Sequence, residues 1–210
     1  MKTVIRAGMS ALILLSVVAS ISACKDSTTF SPGKKITLAD SSTVLDMSSE
    51  LPEDALHLNA ASQGLSNRDM GLGSDFSEVE LFVCEDPYQM VFAYMCILEN
   101  QVERSATDAL IRDEEQIESM ILVNLQAGAA EEGVYLSDVN VDVSYPDIGD
   151  LAVYGSGTVS MYGFNMGYDL LMFKVNKVYV FVASVYLSET SASLITVAEG
   201  IEERIGMYSQ

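Results

Sequence analysis

Hydrophobic and polar positions follow two rhythms along this chain, interrupted by short polar stretches. Residues 11–19 (ALILLSVVA) form an apolar run, too short for a bilayer-spanning helix, which needs about 20 residues. Glu78-Val79-Glu80-Leu81-Phe82-Val83 alternates as a half-buried strand does. Residues 88–98 (YQMVFAYMCIL) are apolar nearly throughout. Asp86-Pro87 with Gln89 offers a helix cap, a first-turn proline and a capping-box partner there. The Tyr, Val, Phe and Ile content favours instead a strand buried on both faces, and a strand is the expectation. From Ser105 the period becomes helical, with Ala106, Leu110, Ile117, Ile121 and Leu125 in register. Ser105 with Asp108 supplies a cap and Gly128 a stop, so one amphipathic helix of about five turns is predicted.

Strand signals dominate the last third. Residues 136–145 place Val139, Val141 and Val143 on one face and Asp138, Asn140 and Asp142 on the other. Residues 151–164 and 168–175 read as strands joined at Asn165-Met166-Gly167, and Asn176-Lys177 turns tightly into the strand 178–187. The chain closes on residues 193–205, where Leu194, Val197, Ala198, Ile201 and Ile205 form a helical stripe facing away from Glu199, Glu202 and Glu203. The predicted fold is α+β: an antiparallel sheet of about five strands with two amphipathic helices packed on one face.

Residues 25–49 are rich in Ser, Thr, Asp and Lys, with Pro32-Gly33 as a turn. They read as a flexible tether, giving a tether over 24–49 and a single α+β domain over 50–210. Leu51, Ala55, Leu56 and Leu58 mark a short element, and Gly64, Gly71 and Gly73 mark residues 59–75 as loop.

Charge narrows the partners. The 210 residues carry 30 Asp and Glu against 11 Lys and Arg, a formal net charge of −19. So acidic a surface repels DNA, RNA and anionic headgroups, which excludes nucleic acid as a partner. The hydrophobic fraction of 49% supports a real core.

The leader now takes on meaning. Lys2 and Arg6 precede the apolar run, and small residues lead into Ile21-Ser22-Ala23-Cys24. This resembles the lipobox of bacterial lipoproteins, in which a thiol is acylated, by palmitate for example, before cleavage leaves cysteine as the new N-terminus. The resemblance implies a signal peptide over 1–23, lipidation of Cys24, and a protein anchored to the cell membrane facing outside the cytoplasm. Cys84 and Cys96 then remain in an oxidising compartment, where a disulfide between them is allowed. Their apolar neighbours suit two buried thiols as well.

Motifs for chemistry are sparse. His57 lies between Leu56 and Leu58, with no nucleophile elbow to serve, since Gly155-Ser156-Gly157 lacks the spacing and falls in a predicted strand. Gly71-Leu72-Gly73 lacks the third glycine of a dinucleotide loop. Asp138, Asn140 and Asp142 open like a calcium loop, but Val143 and Gly149 occupy the positions of its glycine and its closing glutamate. Glu50, Glu53 and Asp54 make a weak acidic cluster, and a lone histidine argues against zinc. Glu114 and Glu118 share a helix face as catalytic pairs can, yet so many acids produce such pairs by number alone. No catalytic, cofactor-binding or metal-binding residue is expected. Met161, Tyr162, Phe164, Met166, Tyr168, Met172 and Phe173, with Met90, Phe92, Tyr94 and Met95, suit either a core or a pocket for an apolar molecule.

Asp86-Pro87-Tyr88-Gln89-Met90-Val91-Phe92, the later Ile148-Gly149-Asp150, and the closing LLMFKVNKVYVFVASVY…LITVAEGIEERI together resemble a loose group of uncharacterised bacterial lipoproteins. Val175-Asn176-Lys177-Val178 departs from the basic residue plus glycine expected at that turn. The order of helix, meander and last helix is similar to the extrinsic protein of photosystem II's oxygen-evolving complex. These likenesses imply fold and address only. The expected function is a non-catalytic, membrane-anchored extracytoplasmic lipoprotein that binds a protein partner or a small apolar ligand. Alternatives are a hydrolase with a carboxylate-pair site and a purely structural envelope protein.

Overall fold

The computed structural model describes residues 36–67, 72, 75–131, 139–161, 164–187, 190 and 192–208. Among them the chain is α+β, with seven strands and four α-helices. The strands are β1 (Leu56–Asn59), β2 (Glu80–Glu85), β3 (Tyr88–Ile97), β4 (Asn140–Ser144), β5 (Leu151–Met161), β6 (Phe164–Val175) and β7 (Val178–Leu187). The helices are α1 (Ser41–Val44), α2 (Gln101–Ile111), α3 (Glu114–Glu131) and α4 (Leu194–Tyr208). All strands form one antiparallel sheet in the order β1-β2-β3-β7-β6-β5-β4. The expected five strands understate it. The meander β4 to β7 was legible, whereas β1, Leu-His-Leu-Asn, alternates for only four residues and is mostly exposed, too short a run to be told from a loop.

The helices do not share a face, contrary to expectation. Ile111 of α2 and Ile117 and Ile121 of α3 pack with Phe92, Tyr94, Leu170, Met172 and Phe181 on one side of the sheet. Leu194, Val197, Ala198, Ile201 and Ile205 of α4 pack with Val91, Ala93, Leu171, Phe173, Val180 and Val182 on the other. Strands β3 and β7 therefore carry apolar side chains in both directions, which is why their sequences run apolar instead of alternating. This also decides residues 88–98 as strand.

The single predicted helix is two. Asn100 accepts the Val102 amide at 2.8 Å and starts α2 five residues before Ser105. The Asp113 carboxylate then accepts the Gln116 amide at 3.1 Å, capping α3. Two side-chain caps outcompete continuity of the apolar stripe. Helix α3 runs through Gly128 to Glu131. Helix α2 is pinned to the sheet by Asp108, which takes Lys174 Nζ at 2.7 Å and the Tyr179 hydroxyl at 2.6 Å. Burial alone would raise the Asp108 pKa, but those two hydrogen bonds and the Lys174 charge outweigh it and hold it below the ordinary value.

The second half of the expected tether belongs to the domain. Val44, Leu45 and Met47 are fully buried in the α4-side core, together with Ile36 and Leu51. Arg204 of α4 donates to the Val44 carbonyl at 2.9 Å and forks onto Glu50. A Cβ at Gly200 would sit 2.3 Å from Glu50 Oε1, so glycine leaves room for that carboxylate. The domain thus begins by residue 36, not 50. The polar composition that suggested a tether lies mostly on the exposed side of a segment whose Ile36, Val44, Leu45, Met47 and Leu51 point inward.

Two turns were misplaced or unexplained. Met161 pairs with Phe164, so Asn165, Met166 and Gly167 are strand and not a turn. Ile148-Gly149-Asp150 docks against the β6–β7 hairpin. Gly149 has φ +60 and a Cβ there would lie 2.2 Å from the Lys174 carbonyl, while the Asp150 carboxylate accepts the Asn176 amide at 2.5 Å. Asn176 takes the left-handed conformation, φ 57, that a glycine would otherwise supply.

Candidate functional site

The α4-side face of the sheet changes character beyond the helix's first turn. One register row reads His57, Phe82, Val91, Ser184, Asp169, Ser156, Asp142 across all seven strands. The next row outward reads Cys84, Gln89, Tyr186, Gly167, Thr158, Asn140. Residues directly opposite one another share a face. Apolar packing therefore gives way to a polar shelf at the end of the sheet where α4 begins.

Gln89 organises one side of the shelf. Its side chain is fully buried and donates to Ser184 Oγ at 2.8 Å and to the Ala192 carbonyl at 2.9 Å. Its carbonyl oxygen accepts the Ala192 amide at 2.8 Å. A single amide thus clamps the chain just before α4 to the middle of the sheet.

Asp169 occupies the centre. It is only 4% exposed although it lies in β6 between apolar neighbours. Burial pushes its pKa up to about 6, against the opposing pull of hydrogen bonds from the Tyr154 and Tyr186 hydroxyls. The Tyr186 hydroxyl stands 3.4 Å from Asp169 Oδ1. Burial and the adjacent carboxylate push Tyr186 up to about 12 and Tyr154 higher still, so both phenols stay protonated and donate. Among the described residues no lysine or arginine helps to keep Asp169 ionised. The Tyr186 ring lies over Gly167, where an added Cβ would come within 2.0 Å of it. A missing side chain lets the ring cover the strand and bring its hydroxyl to Asp169.

The residues singled out from sequence are scattered. Cys24 lies outside the described residues. Cys84 and Cys96 are both buried thiols, and the register overturns a disulfide between them. Cys84 pairs with Gln89, seven positions along β3 from Cys96, a separation of about 23 Å. They also project to opposite faces, since Cys84 follows the parity of Phe82 and Cys96 that of Tyr94. A bridge needs Cα atoms within about 7 Å. His57 stacks on Phe82 at 4.5 Å and contacts Glu80 at 2.7 Å. Three strand spacings, about 14 Å, separate it from Ser184, too far for a nucleophile–base pair. Glu114 is exposed on α3 and Glu118 half-buried. Ser156 of Gly155-Ser156-Gly157 faces the shelf, while Gly155 faces Ile121 of α3. Asn140 and Asp142 share the wet face of β4, with Asn140 Nδ2 3.4 Å from Asp142, and Asp138 lies outside the described residues. Of the acidic trio near residue 50, Glu50 is taken by Arg204.

The methionines and aromatics whose side chains are described divide between the two cores, and Tyr162 lies outside the described residues. Met90, Phe92, Tyr94, Met166, Tyr168 and Met172 lie on the α2–α3 side, and Met95 and Phe173 on the α4 side. Tyr94 stacks on Phe181 at 5.0 Å, and its buried hydroxyl has no hydrogen-bond partner among the described residues.

Sequence reasoning missed Asp169, although a signal existed. It is the only charged side chain between Phe164 and Leu171, and it directly precedes the apolar run Leu170–Phe173.

No family model and no curated protein matches the chain. Among solved structures, the crystal structure of LpqN, involved in cell envelope biogenesis of Mycobacterium tuberculosis, superposes with a TM-score of 0.36 and 13% identity. The match covers 73% of this chain and 78% of that one. At this similarity the likeness carries no argument about function. No helix among the described residues is long and apolar enough to cross a membrane.

Proposed function

We propose that this chain is a lipid-anchored binding domain displayed outside the cytoplasm, held by an acylated Cys24. One observation carries the reading. The lipobox-like Cys24 stands 12 positions before Ile36, the first described residue and a buried one. Twelve positions reach at most about 40 Å when fully extended. The domain would therefore ride close to the membrane, with its α4-side face tied to the anchor. Mass spectrometry of the mature N-terminal peptide tests this. An acylated peptide starting at Cys24, absent in C24S, is the expected result. A mature terminus elsewhere would overturn the anchor.

A second reading, hydrolysis by a carboxylate pair, is favoured by the shelf itself. Asp169, with its raised pKa, and the exposed Asp142 lie in one row two strands apart, a Cα spacing of about 10 Å. Such a pair fits an acid and a water-activating base. Release of nitrophenol from a panel of nitrophenyl glycosides, lost in both D169N and D142N, would establish it. Silence across the panel leaves binding as the function.

A further inference from the structure

Asp169 presents a physical problem that the fold alone does not resolve. Burying a carboxylate is costly unless a cation or several donors compensate it. Here two phenol hydroxyls are the compensation, and burial still dominates. Among the described residues the surroundings hold no positive charge to offer. From β5 the carboxylate meets Tyr154 and Ser156, and from β7 it meets Ser184 and Tyr186. Farther along the same row stands Asp142 on β4, another acid. The first charged residue of α4 is Glu199, acidic as well.

Tyr154 and Tyr186, each half-buried, hydrogen-bond to the carboxylate and keep part of their side chains at the surface beside it, and the exposed Thr158 sits beside Gly167 at the outer margin. Aromatic faces attract ammonium groups through the ring quadrupole, and a desolvated site strengthens that attraction. The acidity of the whole chain raises the local concentration of cations. A recessed anion, aromatic flanks and a negative rim are three complementary features, and one chemistry answers all of them.

We propose that the shelf formed by Tyr154, Asp169 and Tyr186 is a binding site for a protonated primary amine. The ammonium takes the position next to the Asp169 carboxylate, and the two tyrosine rings cover its methylene stem. The inference rests on reading the domain as a binding module and is independent of the anchor at Cys24. Failure of one leaves the other standing.

The test is calorimetric titration of the full chain with n-butylammonium, with n-butanol as the neutral isostere. The expected result is saturable binding of butylammonium and none of butanol. Affinity should fall about tenfold from pH 7.5 to pH 5.0, as Asp169 takes up its proton while the amine stays charged. D169N should lose at least tenfold in affinity, Y186F several-fold, and E115Q, an exposed acid on α3 across the sheet, should stay within twofold of the parent. Should D169N fail to fold, the pH profile and Y186F decide alone. Equal binding of butanol, a flat pH profile, or no saturation at millimolar butylammonium would each overturn the proposal. Spermidine and N-acetyl-lysine amide then separate the sources. Tenfold preference for the first assigns the site to free polyamines, and for the second to a lysine on a partner protein.

Discussion

Arg204 and Glu50 grip one another across 154 positions of sequence, with Nη1–Oε1 at 2.8 Å and Nη2–Oε2 at 3.2 Å. The pair is largely buried, and Arg204 Nε also holds the Val44 carbonyl. It joins the first described segment to the last helix. Removing one partner strands the other charge in a mostly dry site, which costs about 3 kcal/mol. R204A should accordingly lower stability by about that amount in urea unfolding. It should also speed proteolysis within residues 36–51 far more than elsewhere.

A truncation series separates tether from domain. Val44, Leu45 and Met47 are each fully buried, and each such side chain contributes about 1.5–3 kcal/mol on burial. A chain starting at residue 50 should therefore be about 5 kcal/mol less stable than one starting at residue 36. Equal melting temperatures for the two would show that the segment does not pack.

Stability should respond to pH through Asp169 in the direction opposite to most carboxylates. Its folded pKa of about 6 exceeds the ordinary value of 3.8. Between those values the folded chain retains a proton that the unfolded chain has released, so stability falls as pH rises through this window. The difference corresponds to about 3 kcal/mol. D169N should melt higher than the parent at pH 7.5 and the same at pH 4. Asp108 acts in the opposite sense, since its pKa is lowered. The stability it lends is present above its unfolded value and is lost only as pH falls below about 3.8.

Gly167 makes a steric prediction. An alanine there drives a methyl into the Tyr186 ring, which must swing away and give up its approach to Asp169. Overpacking of this kind costs about 1–3 kcal/mol. With no tryptophan in the chain, near-ultraviolet circular dichroism reports on tyrosine and should change in G167A. An unchanged tyrosine signal would mean that the ring does not lie over residue 167.

The cysteines make a covalent one. Denatured but unreduced protein should accept alkylating agent at both Cys84 and Cys96, giving the same mass as reduced protein. A mass two alkyl groups lighter without reductant would contradict the register that separates them.

What was legible in the sequence follows from where each element's information sits. Strand β7 and the stripe of α4 were readable because every relevant contact is a matter of local period, and Leu194, Val197, Ala198, Ile201 and Ile205 are all buried as the spacing required. The side to which α4 docks was not readable. That depends on the apolar runs of β3 and β7 offering two usable faces, a property of three packed layers and not of one element. The break at Asp113 was missed because a capping carboxylate competes with an apolar stripe by a margin that spacing does not measure. The shelf escaped because its members come from residues 89, 154, 169 and 186. Only the register brings these together.

The seat of residues 36–51 also determines how this domain bears a mechanical load. A pull from upstream enters at Ile36 and meets first the packing of Val44, Leu45 and Met47 and then the Arg204–Glu50 pair. None of these is a strand ladder, so the contacts yield in sequence and not together. The segment peels like a seam, and the seven strands come under tension only after residue 51 has been drawn away from α4.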